Sequence, residues 1–287
     1  MMISLNVSDA GYPARLRDLR RPPEPLWVTG DPAVIERRPA VAIVGTRRIT
    51  PYGERIAREL ARAAASGGAV VVSGLAQGVD SEAHLAALEV GSWSVAVLGE
   101  GLAAFDAGVR GRRRHLAARL RQRGALVSEY EPGLRAQGWM FARRNATIAA
   151  LADVVVIVEA GERSGALITA AEAVRLRRPL YAVPGPLGAI RSEGTNGLIA
   201  TGVARALTGA PMLLEALGLR SNGPALQGDG TSGTVVLRDL LAAGPLSSDA
   251  LGARLRLAPA EAATLLATAL LRGEIVLTGD GRIARCT

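Results

Sequence analysis

Short apolar runs punctuate the first part of the chain: Val41 to Val44, Ala69 to Val72, Val95 to Leu98, Ala125 to Val127, Val154 to Val158 and Leu180 to Val183. They lack polar alternation, which suits strands buried on both faces, as in a parallel sheet. Helical patterns fall between them, over residues 51–66, 79–90, 111–123, 144–151 and 165–177. Strand and helix alternating at this spacing predict an α/β fold with a doubly wound, mostly parallel sheet.

The pattern stops at both ends. Residues 1–35 read as an N-terminal leader, because Pro22, Pro23 and Pro25 break any helix and Gly30-Asp31-Pro32 signals a turn. Residues 36–210 form the predicted α/β domain. Residues 211–233 read as a linker, rich in Gly, Ser, Asn and Pro from Arg220 onward. Residues 234–287 form a separate small unit, with helices predicted at Val235 to Ala243, Ser248 to Leu255 and Pro259 to Arg272. Glu274 to Leu277 and Arg282 to Arg285 then flank Gly279-Asp280-Gly281 as a hairpin. Three helices and a hairpin are the order of a winged-helix module.

Composition narrows the function classes. Among 287 residues, 49% are apolar and only 3% aromatic, so Val, Leu, Ile and Ala must fill the core. No apolar run approaches the roughly 20 residues of a membrane helix, so no membrane span is predicted. The first apolar stretch soon meets Asp9, Arg15 and Arg17, unlike a signal peptide, and a cytoplasmic location is expected. Cys286 is the single cysteine, which excludes an internal disulfide and a zinc cluster. The formal charge is +8 and all 34 basic residues are arginine. Without lysine there is no Walker-A lysine, Schiff base or lysine general base. The charge points to an anionic partner, nucleic acid first, with a merely solvated basic surface as the alternative.

In an open parallel sheet, ligands bind outside the carboxyl ends of the strands. After the first run come Gly45, Thr46, Arg47 and Arg48, where a tight turn, a hydroxyl and backbone N–H groups meet a helix start. After the second come Ser73, Gly74, Leu75, Ala76, Gln77 and Gly78, a second candidate anion cradle. After the fifth come Ser164, Gly165 and, further on, Thr169. Ahead of that strand, Phe141, Arg143, Arg144 and Asn145 gather two guanidinium groups, an amide and an aromatic face. Each turn alone also suits an ordinary connection. Three on one sheet edge suggest an extended phosphate-binding surface.

Candidates for catalysis are few. His84 is open to a general-base role or to ordering the second turn. Asp80 is open to capping its helix. His115 lies in the basic run Arg112-Arg113-Arg114. Glu129 and Glu131 flank Tyr130 without a metal-ligand histidine. Glu159 and Glu172 are carboxylates near a phosphate-binding turn, as a nucleotide N-glycosidase would need. No catalytic set, metal site or cofactor is predicted.

Several stretches together resemble the DNA-processing protein A family, also called DprA or Smf. They are VAIVGTRRITPYG at 41–53, VVSGLAQGVDSEAH at 71–84, AVLGEGL at 96–102, LVSEYEPG at 126–133, FARRNATIAAL at 141–151, VVVIVEAGERSGALITAAEA at 154–173, YAVPGPLG at 181–188 and EGTNGLI at 193–199. The resemblance implies an extended Rossmann-like fold, non-catalytic binding of single-stranded DNA, help in loading the RecA recombinase during natural transformation or repair, and a homodimer. It implies that Arg47 contacts DNA, together with the Ser73 to Ala76 turn and the segment of Phe141, Arg144 and Asn145. The chain departs from the family at Ala146, where a second arginine is usual, and at Phe105-Asp106-Ala107, where tyrosine-proline is usual. The N-terminal helical domain of many members is absent or reduced to the leader. The rival readings are a nucleoside-monophosphate phosphoribohydrolase of the LOG type, whose glycine-rich turn is missing at Glu162 to Leu167, and a nucleotide-sensing regulator.

Overall fold

The computed structural model describes residues 1–219, 237, 239–255, 257–271 and 273–286. The chain divides into two compact units, Met1–Ser221 and Asn222–Thr287.

The first unit is built on a nine-stranded sheet. Its strands are β1 (Met2–Leu5), β2 (Leu26–Gly30), β3 (Ala40–Val44), β4 (Val70–Ser73), β5 (Ser94–Leu98), β6 (Gly124–Ser128), β7 (Val154–Ile157), β8 (Leu180–Ala182) and β9 (Arg205–Ala206). The order across the sheet is β1-β2-β6-β5-β4-β3-β7-β8-β9. From β6 to β9 every pairing is parallel. The chain steps outward from β3 through β4 and β5 to β6, then returns to lay β7 on the other side of β3. That reversal makes β3 and β7 the topological switch point of a Rossmann-like sheet.

Period-two burial feeds both faces. Val41, Ile43, Val71, Val154 and Val156 pack against α1 (Pro51–Ser66) and α2 (Val79–Glu89). Ala40, Ala42, Val44, Val70, Val72, Val155 and Ile157 pack against α5 (Gly138–Leu151) and α6 (Ala166–Arg175) on the opposite face. Ala96, Leu98 and Leu126 receive α3 (Leu102–Gly108) and α4 (Gly111–Gln122). The predicted continuous apolar runs thus form strands covered on both sides. Two further helices, α7 (Glu193–Ala200) and α8 (Ala210–Ala216), complete the unit.

Residues 1–35 are not a leader, and this corrects the sequence reading. β1 and β2 form an antiparallel pair, and β2 runs antiparallel to β6 with Trp27 opposite Ser128. Tyr12, Leu16, Leu26 and Val28 are buried in the main core. The prolines do break the helix, and the segment holds instead the edge strand β1, the inner strand β2 and two 3-10 turns, Ala14–Asp18 and Pro32–Glu36. Residues 211–219 likewise belong to the first unit, since Leu213 and Leu217 pack against the α1 face. The remainder of the expected linker, and Val235, Val236 and Arg238 of the helix expected at Val235 to Ala243, lie outside the described residues.

In the second unit, helices Ser248–Leu255 and Pro259–Leu271 precede a hairpin of Ile275–Leu277 with Ile283–Arg285. Leu241, Leu251, Leu266, Ile275 and Ile283 share its core. Leu241–Ala243 is a 3-10 turn, and Arg272, the expected basic end of the third helix, lies outside the described residues.

Candidate nucleic-acid interface

A groove of about 390 Å³ opens where β3 and β7 deliver their carboxyl ends. Gly45, Thr46, Arg47 and Arg48 form one wall. Phe141, Arg144 and Asn145 of α5 form the second, and Ser164, Gly165 and Thr169 at the start of α6 the third. Three segments far apart in sequence therefore meet at the switch point.

The first turn is anchored from below. A Cβ on Gly45 would lie 2.6 Å from Val79 Cγ2 and 2.8 Å from the Glu159 carbonyl oxygen, so only glycine fits. The Thr46 N–H donates to that same carbonyl at 2.8 Å, and the Arg48 N–H donates to Thr46 Oγ1 at 3.1 Å. Thr46 therefore shapes the turn and does not offer its own N–H to an anion. Thr50 caps α1 by accepting from the Gly53 N–H at 3.1 Å. The buried Glu159 carboxylate receives both the N–H and the hydroxyl of Thr50. That occupation removes Glu159 as a carboxylate aimed at the groove. Glu172 is held by Arg175 one turn along α6 at 2.7 Å.

With its base fixed, the turn holds Arg47 and Arg48 exposed. The Arg47 guanidinium stands 5.1 Å from the centre of the Phe141 ring, and no carboxylate pairs with it among the described residues. Cation–π contact restrains a guanidinium without neutralising it. Across the groove, Gly165 precedes α6, and Ser164 Oγ accepts from the Ala166 N–H at 3.3 Å. Asn145 Nδ2 donates to the Gly165 carbonyl at 3.0 Å and ties the two walls together. The groove thus joins an unpaired guanidinium to the positive end of a helix dipole.

The second turn behaves differently and corrects the expected cradle. Ser73 is fully buried, and its hydroxyl donates to the Ile43 carbonyl at 2.7 Å. Leu75 adopts a left-handed φ of 54° and buries its side chain beside α4. The Gly74 and Ala76 N–H groups do find an anion, but it is the Asp80 carboxylate, at 3.2 and 3.4 Å. Burial pushes the Asp80 carboxyl above its ordinary range, while the nearby Arg144 charge works the other way. Of this turn, Ala76 alone lines the first groove; Gly78 abuts the Thr46 carbonyl and lines a neighbouring groove.

The Phe141 to Asn145 segment lies on a helix, so its side chains diverge by about 100° per residue. Phe141, Arg144 and Asn145 face the groove, and Arg143 does not. Arg143 Nε instead pairs at 3.0 Å with Glu129, whose carboxylate is buried and also accepts from Thr147 Oγ1. Arg144 is buried, with one guanidinium nitrogen donating to the Gly74 and Val97 carbonyls. Burial lowers its pKa, with the Asp80 charge opposing the shift. It reaches the groove floor but is spent on structure. Ala146 packs against the main core, so the departure from the family pattern there removes no charge from the groove.

Other candidates separate cleanly. His84 is fully buried, with Nδ1 2.7 Å from Ser94 Oγ. Burial, aided by the Arg144 charge, takes its pKa down to about 3. It is a neutral packing residue. The described residues hold no group of three or more metal-ligating side chains, and none of their helices is long and apolar enough to cross a membrane. The sequence reading missed Asp80 and Ile168 as lining residues. Asp80 gave no signal for this beyond its helix start.

The fold and site together are a Rossmann-like sheet with an open, arginine-bearing groove at its switch point, a geometry suited to an extended anion. Similarity to known proteins identifies the family. Residues 4–218 match the model of DNA recombination-mediator protein A, and the chain belongs to that family. It is 42% identical over 210 residues to a putative DNA processing protein DprA of Mycobacterium tuberculosis, covering 73% of this chain and 53% of that one. It is 40% identical over 191 residues to protein Smf of Escherichia coli, covering 67% and 50%. The chain thus spans about half the length of these curated relatives. Among solved structures, DNA processing protein A of Streptococcus pneumoniae superposes with a TM-score of 0.69 at 32% identity, over 75% of this chain and 74% of that one. The Helicobacter pylori protein, whose structure describes a single-stranded DNA binding mode, gives 0.68 at 32%, over 76% and 95%.

Proposed function

We propose that the switch-point groove holds the sugar–phosphate backbone of single-stranded DNA, and that the chain acts without catalysis as a cytoplasmic recombination mediator. The observation that carries this reading is Arg47: an unpaired guanidinium set against an aromatic ring, opposite the N-terminus of α6. Phosphate takes the guanidinium bidentately, and bases are left outward or stack on Phe141. Delivery of the strand to RecA, assembly as a homodimer and a winged-helix-like second unit are parts of the same proposal, supported by family membership. Gly45, Thr46, Arg48, Asn145, Ser164, Gly165 and Thr169 shape or line the binding surface; Ser73, Gly74, Arg143 and Arg144 act behind it.

Phosphate-dominated binding is nearly sequence-blind and strongly salt-dependent, with a log–log slope of about −0.7 per phosphate neutralised on single strands. Arg47→Ala is expected to weaken binding about tenfold, or about 1.4 kcal/mol, equally for oligothymidylate and mixed sequences, without changing thermal stability. Fluorescence anisotropy across a salt series measures this. Unchanged affinity in the variant would remove Arg47 from the site.

A further inference from the structure

A second groove, about 730 Å³, runs between α2 and α4 and shares Arg47 and Arg48 with the first. We propose that this second groove carries the same single strand onward, so that Arg47 and Arg48 stand at the bend of one continuous phosphate track. The proposal rests on the DNA reading above.

The charge on the walls is lopsided. Besides Arg47 and Arg48, the groove is lined by Arg110, Arg112, Arg113 and Arg119, with His115 among them; Glu54 and Glu82 are its two carboxylates. Glu82 is already held by Arg58 at 2.8 Å, from outside the groove, and lies 3.9 Å from Arg112. Arg113 is committed at one nitrogen to the Leu75 carbonyl at 3.0 Å. Arg110 likewise donates to the carbonyls of Ala107 and Val109. The side chains of Arg48 and Arg119 have no partner among the described residues.

Local helix electrostatics point the same way. The N-terminus of α4 has no side-chain cap and no acid in its first turn. That turn instead carries Arg112, Arg113 and Arg114. Cations at a helix N-terminus oppose the helix dipole. A segment that breaks a local stability rule in this manner marks a functional surface, and an anion lying across it relieves both the dipole and the mutual repulsion of the arginines. The groove shares Arg47 and Arg48 with the first, which suits a polyanion that arrives from there.

Strand length separates the two grooves. Oligothymidylates of about four and about sixteen nucleotides span the range of single-strand site sizes. With Arg112→Ala/Arg119→Ala, affinity for the short strand is expected to match the wild type. For the long strand it falls about tenfold, and the salt slope becomes shallower by about 1.4, or about 0.7 for each phosphate no longer neutralised. Arg119→Gln alone, at an exposed position, gives half that change in slope and serves if the double variant is unstable. A double variant that binds the long strand as the wild type does, while Arg47→Ala still weakens both lengths, overturns the second groove and leaves the DNA reading standing. Failure of the wild type to bind either strand overturns both.

Discussion

The turns after β3 and β4 look alike as sequence, each with a hydroxyl residue and glycine entering a helix, and they have opposite fates. The turn after β3 points its arginines outward and keeps one guanidinium unneutralised over Phe141. The turn after β4 is closed from within, its N–H groups taken by Asp80 and its Gly74 carbonyl by Arg144. What separates them is the supply of a partner. The second turn finds its anion and its cation inside the protein. The first satisfies its backbone internally, but among the described residues no carboxylate meets the charge of Arg47 or Arg48. An anion-friendly turn is therefore a binding site only where the fold leaves it unsatisfied.

The largest expected effect tests the closed turn. Arg144→Met leaves the Gly74 and Val97 carbonyls without their shared donor and Asp80 without the nearby positive charge. Loss of a buried charged hydrogen-bonding group of this kind destabilises by about 3 to 5 kcal/mol. Urea unfolding should show that drop, against none for Arg47→Ala. A stable Arg144→Met protein with DNA affinity as weak as that of Arg47→Ala would reverse the contrast and place Arg144 in the interface.

The next effect joins the two turns. Gly78 has a φ of 83°, and a Cβ there would run into the Thr46 carbonyl oxygen. Gly78→Ala is expected to cost about 2 to 3 kcal/mol through backbone strain and the displaced first turn. Because that displacement moves Arg47, DNA binding should weaken as well, by more than the stability loss alone explains at low temperature. Normal affinity in the folded variant would show that the two turns are mechanically independent.

Much of this was legible in the sequence. The parallel strands and their helices follow from unbroken apolar runs at a βαβ spacing, and the switch-point turns follow from knowing where such sheets bind. β1 and β2 were not legible, because Met2–Leu5 is a four-residue edge strand, Leu26–Gly30 is a short strand flanked by prolines, and its partner β6 is about a hundred residues away. Partner choice was equally hidden. Ser73 and Thr46 carry similar hydroxyls, and only the fold puts Ser73 against Ile43. Arg143 and Arg144 are adjacent in sequence, and only a helix sends one to Glu129 and the other into the core. The family resemblance named the segments but could not say which side chains in them are spent on packing.

The smallest effect at neutral pH lies at His84, behind the closed turn. Its pKa falls from 6.5 in the unfolded chain to about 3 in the fold, through burial and then the Arg144 charge. Between those values the unfolded state binds the proton and the native state does not. Stability from this group is therefore complete above about pH 6.5 and lost as the pH falls toward 3, with a limiting slope of about 1.4 kcal/mol per pH unit. Asp80, raised in the fold, acts in the opposite sense above its ordinary value of 3.8, within the same acid range, so the histidine contribution is isolated by comparing wild type with His84→Gln. The variant should lose some packing stability at pH 7 and show a shallower acid slope between pH 6 and 4 in urea titrations. DNA binding, measured where both proteins are folded, should be the same. An unaltered acid slope would mean that the proton is taken up elsewhere, and that the closed turn does not hold its histidine neutral.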